Sequence, residues 1–376
     1  MERLGGFGRL GGSRTIGLDI DRGALKAVQA ARSAGAYTLR HVGYHRLPPG
    51  AIVEGEVADA DLLAAEIKEF WSSHSFKGRS VVLGVANARV VVRLLDFPRM
   101  QEEDLRSAII FEAQDHIPIS LEEAVLDYLV LGPHQKDYAL DRILVVAAHR
   151  DMIGAYTSAV RAGGLKPAGI DVKALALTRS AQPDTFFDEG ATLLIDVGTE
   201  LTNLAITQGG NPTLARFIPS GLDRFVEAVS EAADLPAEQA EKEMLDARVG
   251  LGSDPESEER GSEPSPTEED FDPALVYDVR RGLEEAVQAL AEDVHRSIEY
   301  HHSQPGTRDV SQAFVSGEGA LIPGIDDYLG ELLGVATRRA SPVEKLSANR
   351  SNVSDEQLGA MEPVLAVALG LALEDE

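Results

Sequence analysis

The chain has 376 residues and a formal net charge of −27, from 35 Lys and Arg against 62 Asp and Glu. That length allows two or three domains around a sizeable core, and the 44% apolar fraction is too high for a disordered chain. The charge argues against sequence-independent nucleic-acid binding and against docking on anionic lipid through basic residues, and the lack of cysteine excludes disulfides, thiolate zinc sites and a Cys nucleophile.

The Gly-rich start, Met1 to Ser13, carries Arg3 and Arg9 but no apolar core of a signal peptide, so none is expected. Thr15–Leu18 and Ala24–Ala30 are β-compatible runs around the polar turn at 19–23, which predicts a hairpin. Asp61 to Ser73 reads as a helix capped by Asp61, with Leu63, Ile67, Phe70 and Trp71 on one face. Val81–Val85 and Val90–Leu95 read as strands around a turn at Asn87. Glu102 to His116 is a helix ended by the bias against α conformation before Pro118. Tyr128–Leu131 and Ile143–Ala148 are strands, and Met152 to Ala162 is a helix closed by Gly163 and Gly164. Residues 79–168 thus read as one α+β unit, ββ-α-ββ-α.

A further block opens at Thr192. Leu193–Asp196 and Asn203–Ile206 predict a second hairpin, followed by a strand over Thr213–Ile218 and a helix from Gly221 to Ala233. Nine acids against the single Arg260, with Pro255, Pro264 and Pro266, predict a disordered acidic loop over 251–272. Val276 to Tyr300 reads as a long helix with Leu283, Val287, Leu290, Val294 and Ile298 on one face. Ala313–Ser316 is a short strand, and Met361 to Leu371 a final apolar helix. The longest apolar run, Pro363 to Leu373, is too short for about 30 Å of hydrocarbon. A protein in the cytoplasm is expected, reaching the membrane only through a partner.

An internal repeat carries the chemistry. Thr15-Ile16-Gly17-Leu18-Asp19-Ile20-Asp21-Arg22-Gly23 resembles Thr192-Leu193-Leu194-Ile195-Asp196-Val197-Gly198-Thr199-Glu200. Each is an apolar strand ending in Asp, then a polar turn, then a second apolar strand. A third segment, Phe314-Val315-Ser316-Gly317-Glu318-Gly319-Ala320, runs from a strand through glycines toward a helix. Two such turns can face each other across a cleft. Their N–H groups and Thr hydroxyls would donate to phosphate oxygens. Asp19 and Asp196 would hold a hydrated Mg²⁺, and Gly317 and Gly319 would let backbone approach an adenine and its ribose.

These residues resemble the superfamily of actin, heat-shock ATPases and sugar kinases. More narrowly, the chain is similar to the PilM family of actin-like type IV pilus assembly proteins. The narrow resemblance rests on the segment from Leu95-Asp96-Phe97-Pro98 through Glu112 and Ile117-Pro118 to Asp127-Tyr128. It also rests on Val145–Ala148, Ala162–Pro167 and Asp171–Arg179. The resemblance implies an α/β, actin-like (ribonuclease H-like) two-domain ATPase fold with an inserted α+β subdomain, 1C. Subdomain 1A would hold 14–78, 169–190 and the C-terminal segment 343–376; 79–168 would be 1C, and 191–342 subdomains 2A and 2B. It implies ATP and Mg²⁺ at Asp19, Arg22, Gly23, Lys26, Asp196, Gly198, Thr199, Thr202, Ser316, Gly317 and Gly319, with little or no hydrolysis.

The match departs from the family at three places. Asp21 stands where a glycine lets backbone approach phosphate, and like charge there is unfavourable; Arg22 could offset it by pairing with phosphate. Met244 stands where relatives carry a Lys, and Glu318 replaces a small residue. No residue stands out as a catalytic base: Glu200 sits by the second turn, where a place in solvent is an equal expectation. The implied role is an adaptor that binds the amino-terminal peptide of a PilN-like inner-membrane protein, in a groove within 79–168 and its boundary with 1A. Other platform or motor proteins and self-association are further possible partners. The alternatives are an FtsA-like division or filament protein and a sugar-kinase-like phosphotransferase. The acidic end, Leu373 to Glu376, does not suit the basic membrane helix of FtsA. No phosphate-binding P-loop or Gly-x-Ser-x-Gly elbow occurs, and the pairs His301/His302, His41/His45 and Glu112/His116 make poor metal sites.

Overall fold

A computed structural model describes residues 15–33, 35–134, 137–183, 190–250 and 273–373. The chain opens with an antiparallel meander, β1 (Thr15–Ile20), β2 (Ala24–Ser33) and β3 (Ala36–Arg46). The short pair β4 (Ile52–Val53) and β5 (Glu56–Val57) leads to α1 (Ala60–His74) and β6 (Ser80–Val85). Next come β7 (Val90–Pro98), α2 (Glu102–His116), β8 (Ala124–Pro133), β9 (Leu140–His149) and α3 (Arg150–Ala162). β10 (Lys166–Val172) and α4 (Lys173–Ser180) follow.

The second half repeats the pattern. β11 (Ala191–Val197), β12 (Thr202–Gln208) and β13 (Asn211–Ile218) form another meander. Helices α5 (Leu222–Ala233), α6 (Ala237–Asp246) and α7 (Pro273–Ser303) precede β14 (Val310–Ser316). The chain closes with α8 (Ile325–Leu333), β15 (Ala336–Arg339), β16 (Leu346–Asn349), α9 (Asp355–Met361) and α10 (Ala366–Ala372).

The two main sheets share a five-strand order, and the first adds β16 beyond β3. One runs β10-β6-β1-β2-β3-β16 and the other β13-β12-β11-β14-β15. In each, the leading strand pairs antiparallel with its meander on one side and parallel with a later strand on the other. The repeat read in the sequence is therefore a repeat of whole sheets. The register makes Asp19 and Asp196 equivalent: Asp19 lies opposite Lys26 and Gly84, and Asp196 opposite Asn203 and Ser316. A third, antiparallel sheet, β7-β9-β8, carries α2 on its own apolar cluster of Phe97, Leu105, Ile109, Ile143 and Val145.

Burial explains the elements. Ile16, Leu18 and Ile20 are at most 1% exposed, and α7 buries the stripe that its spacing predicts. Differences from the sequence reading have physical causes. Asp59, not Asp61, caps α1, accepting the Asp61 and Leu62 amides at 3.1 and 2.9 Å. The strand Ser80–Val85 does not share a sheet with Val90–Leu95 but runs parallel between β1 and β10. Val81, Val82, Leu83 and Val85 are all buried, as a central parallel strand requires, whereas β7 is half-buried. The final apolar segment is not one helix: Pro363 sits in a tight turn over Glu362–Leu365 between α9 and α10. The expected acidic loop 251–272, the Gly-rich start and the last three residues lie outside the described residues.

Candidate functional site

The two repeated turns do meet. Asp21 follows β1, and its Oδ2 accepts the Thr199 amide of the second turn at 3.3 Å. Its Oδ1 accepts the amide of Arg22 at 2.8 Å. A Cβ on Gly198 would stand 2.6 Å from Asp21 Oδ2, and one on Gly23 would run into the Thr199 hydroxyl. The glycines thus allow turn against turn, with no gap between the two loops at this point.

Behind the turns lies a buried cluster of four carboxylates and two ammoniums. Lys26 Nζ stands 2.6 Å from Glu318 Oε1, 3.4 Å from Asp19 Oδ2 and 3.9 Å from Asp21 Oδ2. Lys173, at the start of α4, places Nζ 2.8 Å from Asp19 Oδ1 and donates to the Ile20 carbonyl at 2.8 Å. Asp196 takes the Ser316 hydroxyl at 2.9 Å and the Asn203 amide group at 3.1 Å. Each carboxylate or ammonium here is at most 9% exposed.

The electrostatics follow from this crowding. Burial alone would raise the Asp19 pKa, but Lys173 and Lys26 outweigh it and hold the carboxyl below its usual range. Burial opposes the charge on Lys26 and Lys173 too, yet the surrounding carboxylates push both ammoniums above the ordinary lysine value. Asp196 is raised by burial, which Lys26 only partly offsets. Burial pushes Glu318 up to about 6, against the pull of Lys26 and with the repulsion of Asp21. Lys26 is therefore shared among four acids, of which burial raises Glu318 and Asp196.

The other expected site residues go elsewhere. Arg22 pairs with Asp223 at the start of α5, not toward the cleft interior. Thr202 donates to the Ser220 carbonyl at 2.7 Å. Gly317, with φ of +84°, and Gly319 pack against Val197, so the room their missing side chains leave is taken by that residue. Met244 is buried in the core of the second sheet. Glu200 is not left to solvent: it accepts the Gly55 amide at 3.2 Å, tying the β4–β5 turn to the second lobe. Lys173 and Asp223 were not singled out from the sequence; their signal is the register that brings α4 and α5 to the two turns. Among the histidines, His301 is buried and bonded to Thr213 and to the Arg308 carbonyl.

A nucleotide with Mg²⁺ does not fit this arrangement. The Thr199 amide already carries a carboxylate, and Lys26 already stands among the acids that would face a cation. Among the described residues, no group of three or more acids or histidines is placed to hold a metal ion.

Similarity to known proteins agrees with the fold. The profile of the family described as type IV pilus assembly protein PilM matches residues 17–256 and 279–376. A solved PilM–PilN type IV pilus biogenesis complex is similar at a TM-score of 0.76 and 27% identity, over 95% of this chain and 97% of that one. MreB 5 of Spiroplasma citri bound to AMPPNP matches at 0.54 and 13% identity, over 95% and 94%. The ethanolamine utilization protein EutJ from Carboxydothermus hydrogenoformans matches at 0.53 and 12%, over 98% and 92%. At those identities the last two show the fold alone, and the fold is the α/β, actin-like one. The structural pairing of two repeated sheets and the family profile over most of its length together show that the chain belongs to the type IV pilus assembly PilM family.

Proposed function

We propose that this chain is a cytoplasmic adaptor of the type IV pilus assembly platform, and that it docks the amino-terminal peptide of a PilN-like inner-membrane protein. The observation that carries this reading is the likeness, over nearly the whole of both chains, to a PilM solved with PilN. No described helix is long and apolar enough to cross a membrane, which agrees with a membrane contact made through a partner. In this reading 14–78, 169–190 and 343–376 form subdomain 1A, 79–168 form 1C with β6 lent to the first sheet, and 191–342 form 2A and 2B.

A groove supports the peptide role. A cavity of about 590 Å³ lies between Val90–Leu94 of β7 and Thr213–Phe217 of β13. Both are outer strands of their sheets. Val90, Val92, Leu94 and Leu214 supply apolar wall, and Arg93 and Arg216 are exposed at its rim. An extended peptide with alternating apolar residues suits this lining. The groove thus has one wall within 79–168, as the resemblance implied, and its other wall on the second sheet.

ATP with Mg²⁺ at Asp19 and Asp196 is the occupant the family resemblance proposes for the cleft. Its phosphates would need the place that Asp21 holds, so no step of the adaptor role is derived through it.

The test is calorimetry with the first residues of a PilN-like protein. Saturable binding that weakens when Val92 becomes Asp supports the groove. Binding indifferent to that change moves the site elsewhere, and no binding at all sinks the adaptor reading.

A further inference from the structure

Asp21 and Glu318, two buried acids from distant parts of the chain, come together in space. One lies in the first turn and the other after β14, and Lys26 joins them, 3.9 Å from Asp21 and 2.6 Å from Glu318. Asp21 reaches across to the amide of Thr199, and Glu318 brings the second lobe to Lys26 of the first. Further ties run across the same gap: Gly55 to Glu200, and Arg22 to Asp223. An anion thus already sits on the second turn, and a cation already sits among the acids.

We infer that this cleft is filled by the protein itself: the Asp21 carboxylate holds the phosphate position on the Thr199 turn, Lys26 holds the cation position, and the lobes stay closed without nucleotide. A nucleoside triphosphate must displace Asp21 from Thr199 and bring its own negative charge beside Asp21, Asp196 and Glu318. In water-poor surroundings that repulsion is large compared with a surface pair. Closure here draws on a carboxylate of the chain itself rather than on a bound phosphate. The inference concerns the cleft alone and stands whether or not the peptide binds between β7 and β13.

The experiment uses the absence of native cysteine. Lys68 on α1 and Glu238 on α6 are exposed and lie on the two lobes, so Lys68→Cys/Glu238→Cys takes a pair of spin labels. The full chain is expected to give one narrow inter-lobe distance without nucleotide, unchanged by millimolar Mg-ATP, with no saturable heat in calorimetry. Adding Asp21→Gly is expected to broaden that distance, and Mg-ATP is expected to narrow it again with at least tenfold tighter binding than the parent. Asp21→Ser serves the same purpose if the glycine variant fails to fold. A parent that is broad without nucleotide, or that binds Mg-ATP as tightly as the Asp21 variants, overturns the inference. So does an Asp21 variant as closed as the parent that still binds no Mg-ATP.

Discussion

The Asp21 carboxylate of the first turn accepts the Thr199 amide of the second, 178 positions along the chain, at 3.3 Å. A charge-assisted bond of this kind contributes about 1.5–3 kcal/mol. Asp21→Ala is therefore expected to lower the stability of the nucleotide-free protein by about that much. Urea denaturation followed by circular dichroism reads it. An unchanged midpoint would mean that the two turns are held together by the surrounding packing alone.

Lys173 faces a different partner, the buried Asp19, at 2.8 Å. Lys173→Met leaves that carboxylate with Lys26 alone, at the longer distance of 3.4 Å. Removing one member of a buried pair typically costs about 3–5 kcal/mol. Adding Asp19→Asn removes the stranded charge, so the double variant is expected to recover part of the loss. Denaturation midpoints of the wild type, Lys173→Met and the double variant check this, and a double variant no more stable than Lys173→Met contradicts it.

The pH dependence near neutrality is assigned to Glu318. Its folded pKa, about 6, lies above the ordinary value of 4.5. A raised carboxyl contributes stability that is full below 4.5 and lost as pH rises through about 6. Acidifying from neutrality toward pH 4.5 should thus stabilise the wild type through this group, by about 2 kcal/mol at the limit. Of the groups facing it, Lys26 and Tyr44 are pushed up from ordinary values already far above that window, and Asp196 shifts with the same sign. Asp19, with its lowered pKa, stays ionised there and loses its contribution only in stronger acid. The melting temperature of wild type minus that of Glu318→Gln should rise as pH falls through the window. A difference independent of pH contradicts the assignment.

For the groove, Val92→Asp is expected to weaken PilN-like peptide binding at least tenfold, which is about 1.4 kcal/mol. Lys68→Ala, on the exposed face of α1, should leave it unchanged. Isothermal titration separates the two outcomes.

The hairpins and the matched aspartates were legible because strand alternation and a terminal Asp are local patterns. α7 was legible for the same reason, through its helical spacing. The fill of the cleft was not, because it depends on register between distant strands. Lys173 meets Asp19 only because β6 lies between β1 and β10, with Gly84 giving the lysine stem room to pass. Arg22 was expected to serve phosphate, but the start of α5 offers Asp223 instead. The bond of Glu200 to Gly55 was not legible because the β4–β5 turn, two short strands with a weak signal, went unread. Asp21 was recognised as a hindrance to phosphate; that the hindrance is also a bond across the cleft needed the second turn in place.

The most direct measurement is titration of the wild-type chain with the PilN-like amino-terminal peptide, in the absence and presence of Mg-ATP. A platform adaptor whose cleft is closed by its own Asp21 and Lys26 should bind the peptide with the same affinity in both. Binding that appears only when Mg-ATP is present would contradict the account.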